Sequence, residues 1–259
     1  MSATSQRKII RFAAKWALTH LLVCAVIAAA SVGLVFSLWY PNSVAPIVGV
    51  GKILGVLIVV DVICGPLLTA VLAKPTKSKR ELWLDMTLVA SVQLGALGYG
   101  LWSLYAARPV AIAFEVDRLV IVTANQVQSE IVDPVVARQI HRDVSGLQMV
   151  SVRQPDSNAE YLESLDKSMQ GVTPAMRPSW WRPIEEAHLE IANRARPVAH
   201  LIQKQPDKAG ELRAQALKMG TPIDHLRYLP LVSTRSMEWI ALLDSSDKIV
   251  GKVNIDGFD

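Results

Sequence analysis

Residues 53–73 read ILGVLIVVDVICGPLLTAVLA, an apolar run that contains a single acidic side chain, Asp61. As a helix this run would be about 30 Å long, which is enough to cross the hydrocarbon core of a bilayer. Two further apolar runs, at 16–38 and 86–106, contain no Asp, Glu, Lys or Arg. The sequence therefore predicts a transmembrane region over 16–106 with three spans.

The composition agrees with a protein that is only partly embedded in a membrane. Hydrophobic residues make up 51% of the 259 residues, charged residues make up 19%, and the mean hydropathy is +0.28. The apolar excess lies before residue 107, so a single soluble domain and a disordered chain are both excluded. Residues 107–259 hold 18 basic and 20 acidic side chains. This part therefore lacks the basic excess of a nucleic-acid-binding domain.

The distribution of basic residues orients the spans. Residues 1–15 carry four basic and no acidic side chains, and the loop at 74–85 carries four basic and two acidic ones. The loop at 39–52 contains a single charged residue, Lys52. Because basic loops tend to stay in the cytoplasm, we expect a basic cytoplasmic N-terminus over 1–15 and an outward-facing chain from 107 onward. We expect the first span to be an uncleaved anchor, since its apolar run is longer than that of a signal peptide.

Residues 107–259 are enough for one domain with its own core. Alternation and turn signals predict strands at 110–122, 147–153, 225–231, 236–243 and 247–255, and helices at 134–146, 157–169, 183–203 and 207–219. We expect Pro197 to break the third of these helices and Gly220 to end the fourth. We expect the first strand to pair with the C-terminal hairpin. The predicted fold is an α-helical membrane anchor of three transmembrane helices followed by an α+β domain with a mostly antiparallel sheet.

Polar residues inside the predicted spans are the first candidates for a functional site. Asp61 lies about 12 Å from the start of its span, and an ionised carboxylate at such a depth is costly unless it has a partner or a function. Pro66 follows it and should kink the helix. Gln93 and Tyr99 lie in the third span, and by depth Tyr99 is the nearer to Asp61. Two interpretations stay open: a hydrogen bond that holds the three helices together, and a contact for the membrane helix of another protein.

The most unusual segment of the outward-facing part is Trp180-Trp181-Arg182. It is either a loop packed into the core or an anchor for a partner, because tryptophan and arginine dominate interface hot spots. No zinc-ligand spacing, nucleophile elbow or phosphate-binding loop is found in the sequence. We therefore expect no catalytic, cofactor-binding or metal-binding residues and no enzymatic activity, although a serine–histidine triad assembled only by folding stays open.

Several short motifs recur in the order of a known family. They are Trp39-Tyr40-Pro41, Asp61-Val62-Ile63-Cys64-Gly65-Pro66-Leu67-Leu68-Thr69, Gln93-Leu94, Tyr99-Gly100, Arg108-Pro109, Phe114-Glu115-Val116-Asp117-Arg118 and Tyr228-Leu229-Pro230-Leu231. Their order resembles the type IV pilin accessory proteins of the TfpX/TfpZ group over almost the whole chain. Leu119 departs from the family pattern, in which Phe follows the Asp-Arg pair.

The resemblance implies an inner-membrane protein of a Gram-negative bacterium, with a periplasmic domain over 107–259. It implies no cofactor and no catalysis, but assistance to the assembly of one type IV pilin. The expected partners are the cognate major pilin, the inner-membrane pilus assembly platform and membrane lipids. Two alternatives stay open: a membrane-anchored periplasmic sensor or ligand-binding module, and a membrane-anchored periplasmic enzyme.

Overall fold

The computed structural model describes residues 3–41, 44–139 and 146–258. The chain forms two compact units, and a short segment that interrupts the sequence of the first unit belongs to the second. The first unit consists of Met1–Tyr40 and Gly49–Ala106, and the second consists of Pro41–Val48 and Ala107–Asp259. The segment that connects the first two long helices therefore belongs to the second unit, whereas the sequence grouped it with the spans.

Three long helices make up the first unit. They are α1 (Ala3–Leu34), which continues through a π-helical turn at Val35–Trp39, α3 (Val50–Leu72) and α4 (Lys79–Ala106); the short helix α2 (Ala45–Val48) lies in the second unit. All three long helices are long and apolar enough to cross a membrane. The helix α3 packs against both α1 and α4. The predicted three-helix anchor is confirmed.

The outer surfaces of these helices are apolar, as expected of a lipid-facing protein. Leu22, Val71 and Leu88 are exposed, one on each helix, and a soluble helix would bury such residues. At one end of the unit, the hydroxyl of Tyr40 donates a hydrogen bond of 2.8 Å to the carbonyl oxygen of Leu104. This bond joins the end of the first helix to α4.

One sheet organises the second unit. Its strands are β1 (Pro109–Glu115), β2 (Arg118–Thr123), β3 (Gln148–Val152), β4 (Trp181–Pro183), β5 (Arg196–Pro197), β6 (Arg227–Val232), β7 (Ile240–Leu243) and β8 (Ile249–Val253). The order across the sheet is β4-β3-β1-β2-β6-β7-β8, and β5 pairs with β6. Among the described strand pairs, only β1 with β3 and β2 with β6 are parallel. The expected α+β domain with a mostly antiparallel sheet is confirmed.

Two expectations about the strands are wrong. The single strand predicted at 110–122 is a hairpin, because the chain reverses at Val116 and Asp117, where Val116 takes a left-handed backbone conformation with φ of 61°. A β-branched residue is rare in that conformation. The alternating pattern of residues therefore gave no indication of a turn at Val116. The first strand also does not pair with the C-terminal hairpin. Instead, β1 lies between β2 and β3, and β2 pairs with β6.

The helices of the second unit follow the predicted positions closely. They are α5 (Pro134–Gln139), α6 (Asn158–Met169), α7 (His188–Arg194), α8 (Val198–Lys204) and α9 (Ala209–Met219). The helix predicted at 183–203 is divided at Pro197, the break that the sequence predicted. The predicted end of α9 at Gly220 is confirmed, and this glycine has the left-handed conformation of a helix C-cap. The last part of the helix predicted at 134–146 lies outside the described residues.

Among the residues that the structure describes, two buried clusters belong to the core of this unit. The first is built on β6, β7 and β8 with the helices α8 and α9, and its members include Leu201, Leu212 and Tyr228. The second lies on β1, β2 and β3, beneath the turns around Ala175 and Met176. Part of the connecting segment between the first two long helices is buried as well: Ile47 is fully enclosed, and its carbonyl oxygen accepts a hydrogen bond of 2.9 Å from the hydroxyl of Ser233.

Candidate functional site

A polar cluster lies in the middle of the three-helix unit. The side-chain amide of Gln93 on α4 donates to the carbonyl oxygen of Asp61 on α3 at 2.9 Å and to its carboxylate oxygen Oδ1 at 3.1 Å. Hydrogen bonds between membrane helices are each worth about 0.6–2 kcal/mol. The pair therefore joins the two helices directly, as the first of the two sequence interpretations expected.

Gly65 allows the Gln93 side chain to come this close to α3. The sequence alone did not indicate Gly65 as a contact residue. It is buried one helical turn after Asp61, so both residues lie on the same face of α3. A Cβ atom at this position would lie 2.6 Å from Oε1 of Gln93, which is far inside van der Waals contact. Only glycine leaves room for the Gln93 amide at this position. A glycine one turn from an intramembrane acid is the signal that could have revealed it.

The first helix completes the cluster. Cys24 on α1 is buried, and its thiol interacts with the side chains of Gln93 and Asp61. One turn earlier, Nδ1 of His20 lies 2.5 Å from the hydroxyl oxygen of Thr69, a fully buried residue of α3. All three helices therefore contribute polar groups at membrane depth, and α3 is bound to each of its neighbours by a hydrogen bond.

The cluster leaves part of its hydrogen-bonding capacity unused. Of the two carboxylate oxygens of Asp61, only Oδ1 accepts a hydrogen bond among the described residues, so the second one is unpaired there. The amide oxygen Oε1 of Gln93 is buried and has no hydrogen-bond partner among the described residues. In hydrocarbon each such atom carries a cost that a further donor would relieve. The site can therefore accept a hydrogen bond from a group that is not in this chain.

The other candidates in the first unit lie apart from the cluster. Tyr99 is 71% exposed and its ring lies against that of Trp102, at 6.0 Å between centroids. The expectation that Asp61 lies nearer Tyr99 than Gln93 is therefore wrong. Pro66 lies inside α3, and the helix continues beyond it to Leu72.

The Trp180-Trp181-Arg182 segment is packed into the second unit. Both indole rings are buried, and Nε1 of Trp181 donates a hydrogen bond of 2.9 Å to the carbonyl oxygen of Ala175. Buried rings cannot anchor a partner, so the structure favours the core-packing interpretation for the two tryptophans. Arg182 is exposed and lies 3.5 Å from Glu186. Of the three residues, only Arg182 is available for a contact.

Trp180 lies between two guanidinium groups. Those of Arg153 and Arg177 are each 4.6 Å from the centre of its ring, a distance at which cation–π attraction is favourable. Arg177 is itself buried and pairs with Glu130 at 3.1 Å, and Arg153 pairs with Glu160. The ring and its two ion pairs therefore stabilise this side of the sheet together.

The ion pair of Arg153 with Glu160 makes the domain sensitive to acid. The Arg153 guanidinium and the backbone amide of Asp156 hold the pKa of Glu160 near 2, well below its usual 4.5. A lowered pKa contributes stability above the unfolded value, and this contribution is lost as pH falls from about 4.5 towards 2. We expect the thermal midpoint of the full chain to fall less in the Glu160→Gln variant than in the wild type between pH 5 and pH 3. Equal falls would contradict this assignment, and Glu190→Gln, at an exposed position on α7, is the control.

The described residues contain no group of three His, Cys, Asp or Glu side chains that could hold a metal ion. The fold and the cluster thus define a class: a membrane-anchored α+β protein whose most unusual polar groups lie within the membrane region. Comparison with known proteins gives the family. The sequence profile described as Fimbrial assembly protein FimB matches residues 8–46.

Two relatives from Dichelobacter nodosus match almost end to end. The fimbrial assembly protein of serogroup I is 33% identical and that of serogroup E1 is 34% identical, each over 249 residues, which is 96% of this chain and 97% of the relative. The chain belongs to the fimbrial assembly protein family, and this membership supports a role in pilus assembly. No solved structure matches.

Proposed function

We propose that this protein is a non-enzymatic accessory protein of the inner membrane that binds a cognate type IV pilin and acts as its chaperone. In this role it keeps the pilin stable or competent for assembly into pili. The full-length relationship to fimbrial assembly proteins carries the proposal. We assign the chain to the TfpX/TfpZ group within this role, on the motifs quoted from the sequence.

The orientation follows from charge and connectivity together. The basic N-terminus and the basic loop at 74–85 are cytoplasmic under the positive-inside rule. The two helices α3 and α4 separate Pro41–Val48 from the rest of the second unit, and two crossings return the chain to the side on which it began. This supports a second unit that lies entirely in the periplasm, on the same side as the head of a pilin anchored by its apolar helix.

Asp61 is the proposed contact for the pilin's membrane helix. Its unpaired carboxylate oxygen can accept a hydrogen bond from that helix, and Gln93 holds the carboxylate in place. Tyr99 and Arg182 are further candidate contacts, since both side chains are exposed, one in each unit.

Deletion of the gene tests the proposal as a whole. We expect loss of surface pili, with the pilin either degraded or retained in the membrane, and recovery when the wild-type gene is returned. Pilin abundance and surface pili are scored separately, because they distinguish stabilisation from assembly. Normal piliation of the deletion strain would contradict the proposal.

Returning variants of Asp61 to the deletion strain tests the contact. Asp61→Asn keeps an acceptor for Gln93 but removes the charge, so we expect normal levels of the accessory protein and a decrease in piliation of about tenfold, equivalent to about 1.4 kcal/mol of lost binding. Asp61→Ala removes both the charge and the side-chain acceptor, whereas Gln93→Ala keeps the charge and removes the side-chain bond between helices that positions it. Cys64→Ala, at an exposed position on the same helix, is the control. Unchanged pilin levels and piliation in both Asp61 variants would exclude the contact.

A further inference from the structure

The helix α6 has its apolar side facing outward. Its exposed face carries Tyr161 (55% exposed), Leu162 (62%), Leu165 (46%) and Met169 (75%). The face that turns towards the domain is polar, and Ser164 at its centre is 7% exposed. A surface helix ordinarily buries its apolar stripe and exposes its polar face, so this arrangement is inverted.

Polar contacts fix the helix in this orientation. The hydroxyl of Ser157 caps its first turn by accepting from the amide of Glu160 at 3.2 Å. The carboxylate of Glu160 pairs with Arg153, and Lys167 lies 4.0 Å from Glu130. Ion pairs at both ends of the inner face therefore hold the helix, and turning the apolar stripe inward would break both of them.

The apolar stripe has the properties of a binding surface. Its four side chains follow a helical spacing of i, i+1, i+4 and i+8, so they form one continuous strip. Monomeric proteins rarely expose such a strip unless it binds something. Within the described part of the chain nothing covers these four side chains.

The charge around the strip selects among possible occupants. Asp156, Glu163 and Asp166 are exposed beside it. Asp156 pairs with Arg153 at 3.2 Å and Glu163 pairs with Lys167 at 2.9 Å, but each of these two bases is shared with a second acid, Glu160 or Glu130, so acidic groups remain in excess. An acidic rim repels anionic lipid head groups. It also disfavours a second copy of this chain, because a two-fold contact would bring two acidic rims together. A protein segment with apolar side chains flanked by lysine or arginine is complementary to the strip in hydrophobicity and to its rim in charge.

We propose that the outer face of α6 is a docking surface for a partner protein that presents an apolar row flanked by basic residues. This inference goes beyond the proposed function, because it concerns a surface of the second unit that does not depend on the membrane cluster or on the identity of the pilin.

Site-specific photo-crosslinking in living cells tests the surface. A photoreactive phenylalanine derivative is placed at Leu162 or Leu165 of the full chain, and at the exposed Leu189 or Leu217 as controls. We expect an adduct with another protein from the α6 positions only, at several times the yield of the controls. Mass spectrometry of the linked peptide should show apolar residues beside lysine or arginine.

A charge reversal separates docking from chance contact. The double substitution Glu163→Lys and Asp166→Lys should lower the yield of the adduct about tenfold at equal protein level, whereas Glu190→Lys on α7 should leave it unchanged. An adduct with a second copy of this chain, an adduct with lipid, yields equal to the controls, or a yield unaffected by the charge reversal would each overturn the proposal.

Discussion

Replacing Gly65 by valine should destabilise the three-helix unit more than any other single substitution in α3. The added side chain would occupy the space of the Gln93 amide, since even a Cβ atom would lie 2.6 Å from Oε1 of Gln93. Overpacking of this kind costs about 1–3 kcal/mol, and loss of the bonds to Asp61 adds about 0.6–2 kcal/mol. We expect a several-fold lower amount of the protein in the membrane and a lower midpoint of thermal unfolding in detergent.

The chain provides a matched control and a suppressor for this experiment. Gly55 lies on the same helix with no atom within 4 Å of an added Cβ, so Gly55→Val should leave the midpoint almost unchanged. Shortening the partner, with Gln93→Ala added to Gly65→Val, should recover part of the loss because it removes the overlapping atoms. If Gly65→Val and Gly55→Val behave alike, the close approach of the two helices is wrong.

Replacing Trp180 by alanine should have the largest effect in the second unit. Removal of a buried tryptophan costs about 3–5 kcal/mol, and here the guanidinium groups of Arg153 and Arg177 also lose the ring between them. The free energy of unfolding falls by about 2 kcal/mol per molar urea, so the urea concentration at the midpoint of unfolding should fall by about 1.5–2.5 M. Protease resistance of the full chain against urea concentration measures this shift.

Two further variants assign the cause of that loss. Trp180→Phe keeps an aromatic face for both guanidinium groups and should lose clearly less than Trp180→Ala. Leu189→Ala, at an exposed position, should lose almost nothing. An equal and small effect of all three substitutions would mean that Trp180 does not contribute to the core.

The membrane anchor could be predicted from the sequence because hydrocarbon allows few solutions. A long apolar run is typical of a membrane span, and an acid within it stands out. Depth counted from residue 53 places Asp61 level with Tyr99, and this expectation is wrong because α3 already begins at Val50. Measured from Val50 and from Ala106, the adjoining ends of α3 and α4, Asp61 and Gln93 lie at similar levels. Tyr99 lies closer to this end of the helices than Asp61 or Gln93 does.

The second unit was harder to predict, because its structure depends on contacts between residues far apart in the sequence. Alternating residues predicted the strands, but alternation cannot show a turn such as that at Val116, nor which strands become neighbours in the sheet. Tryptophan beside arginine is equally typical of an interface and of a core, and only the fold distinguishes the two. The helix α6 was placed correctly, yet its inverted orientation depends on Arg153 and Glu130, which lie outside the helix.

The buried positions of Val44, Ala45, Ile47 and Val48 in the second unit have a consequence for biogenesis. Part of this core is synthesised before the helices α3 and α4, and the remainder is synthesised after them. The domain can therefore reach its final packing only after the helices between the two parts have been synthesised. A secreted fragment that begins at residue 107 would lack the side chain of Ile47 and the acceptor of the Ser233 hydroxyl. Folding of this domain and synthesis of the helices that interrupt its sequence are thus coupled.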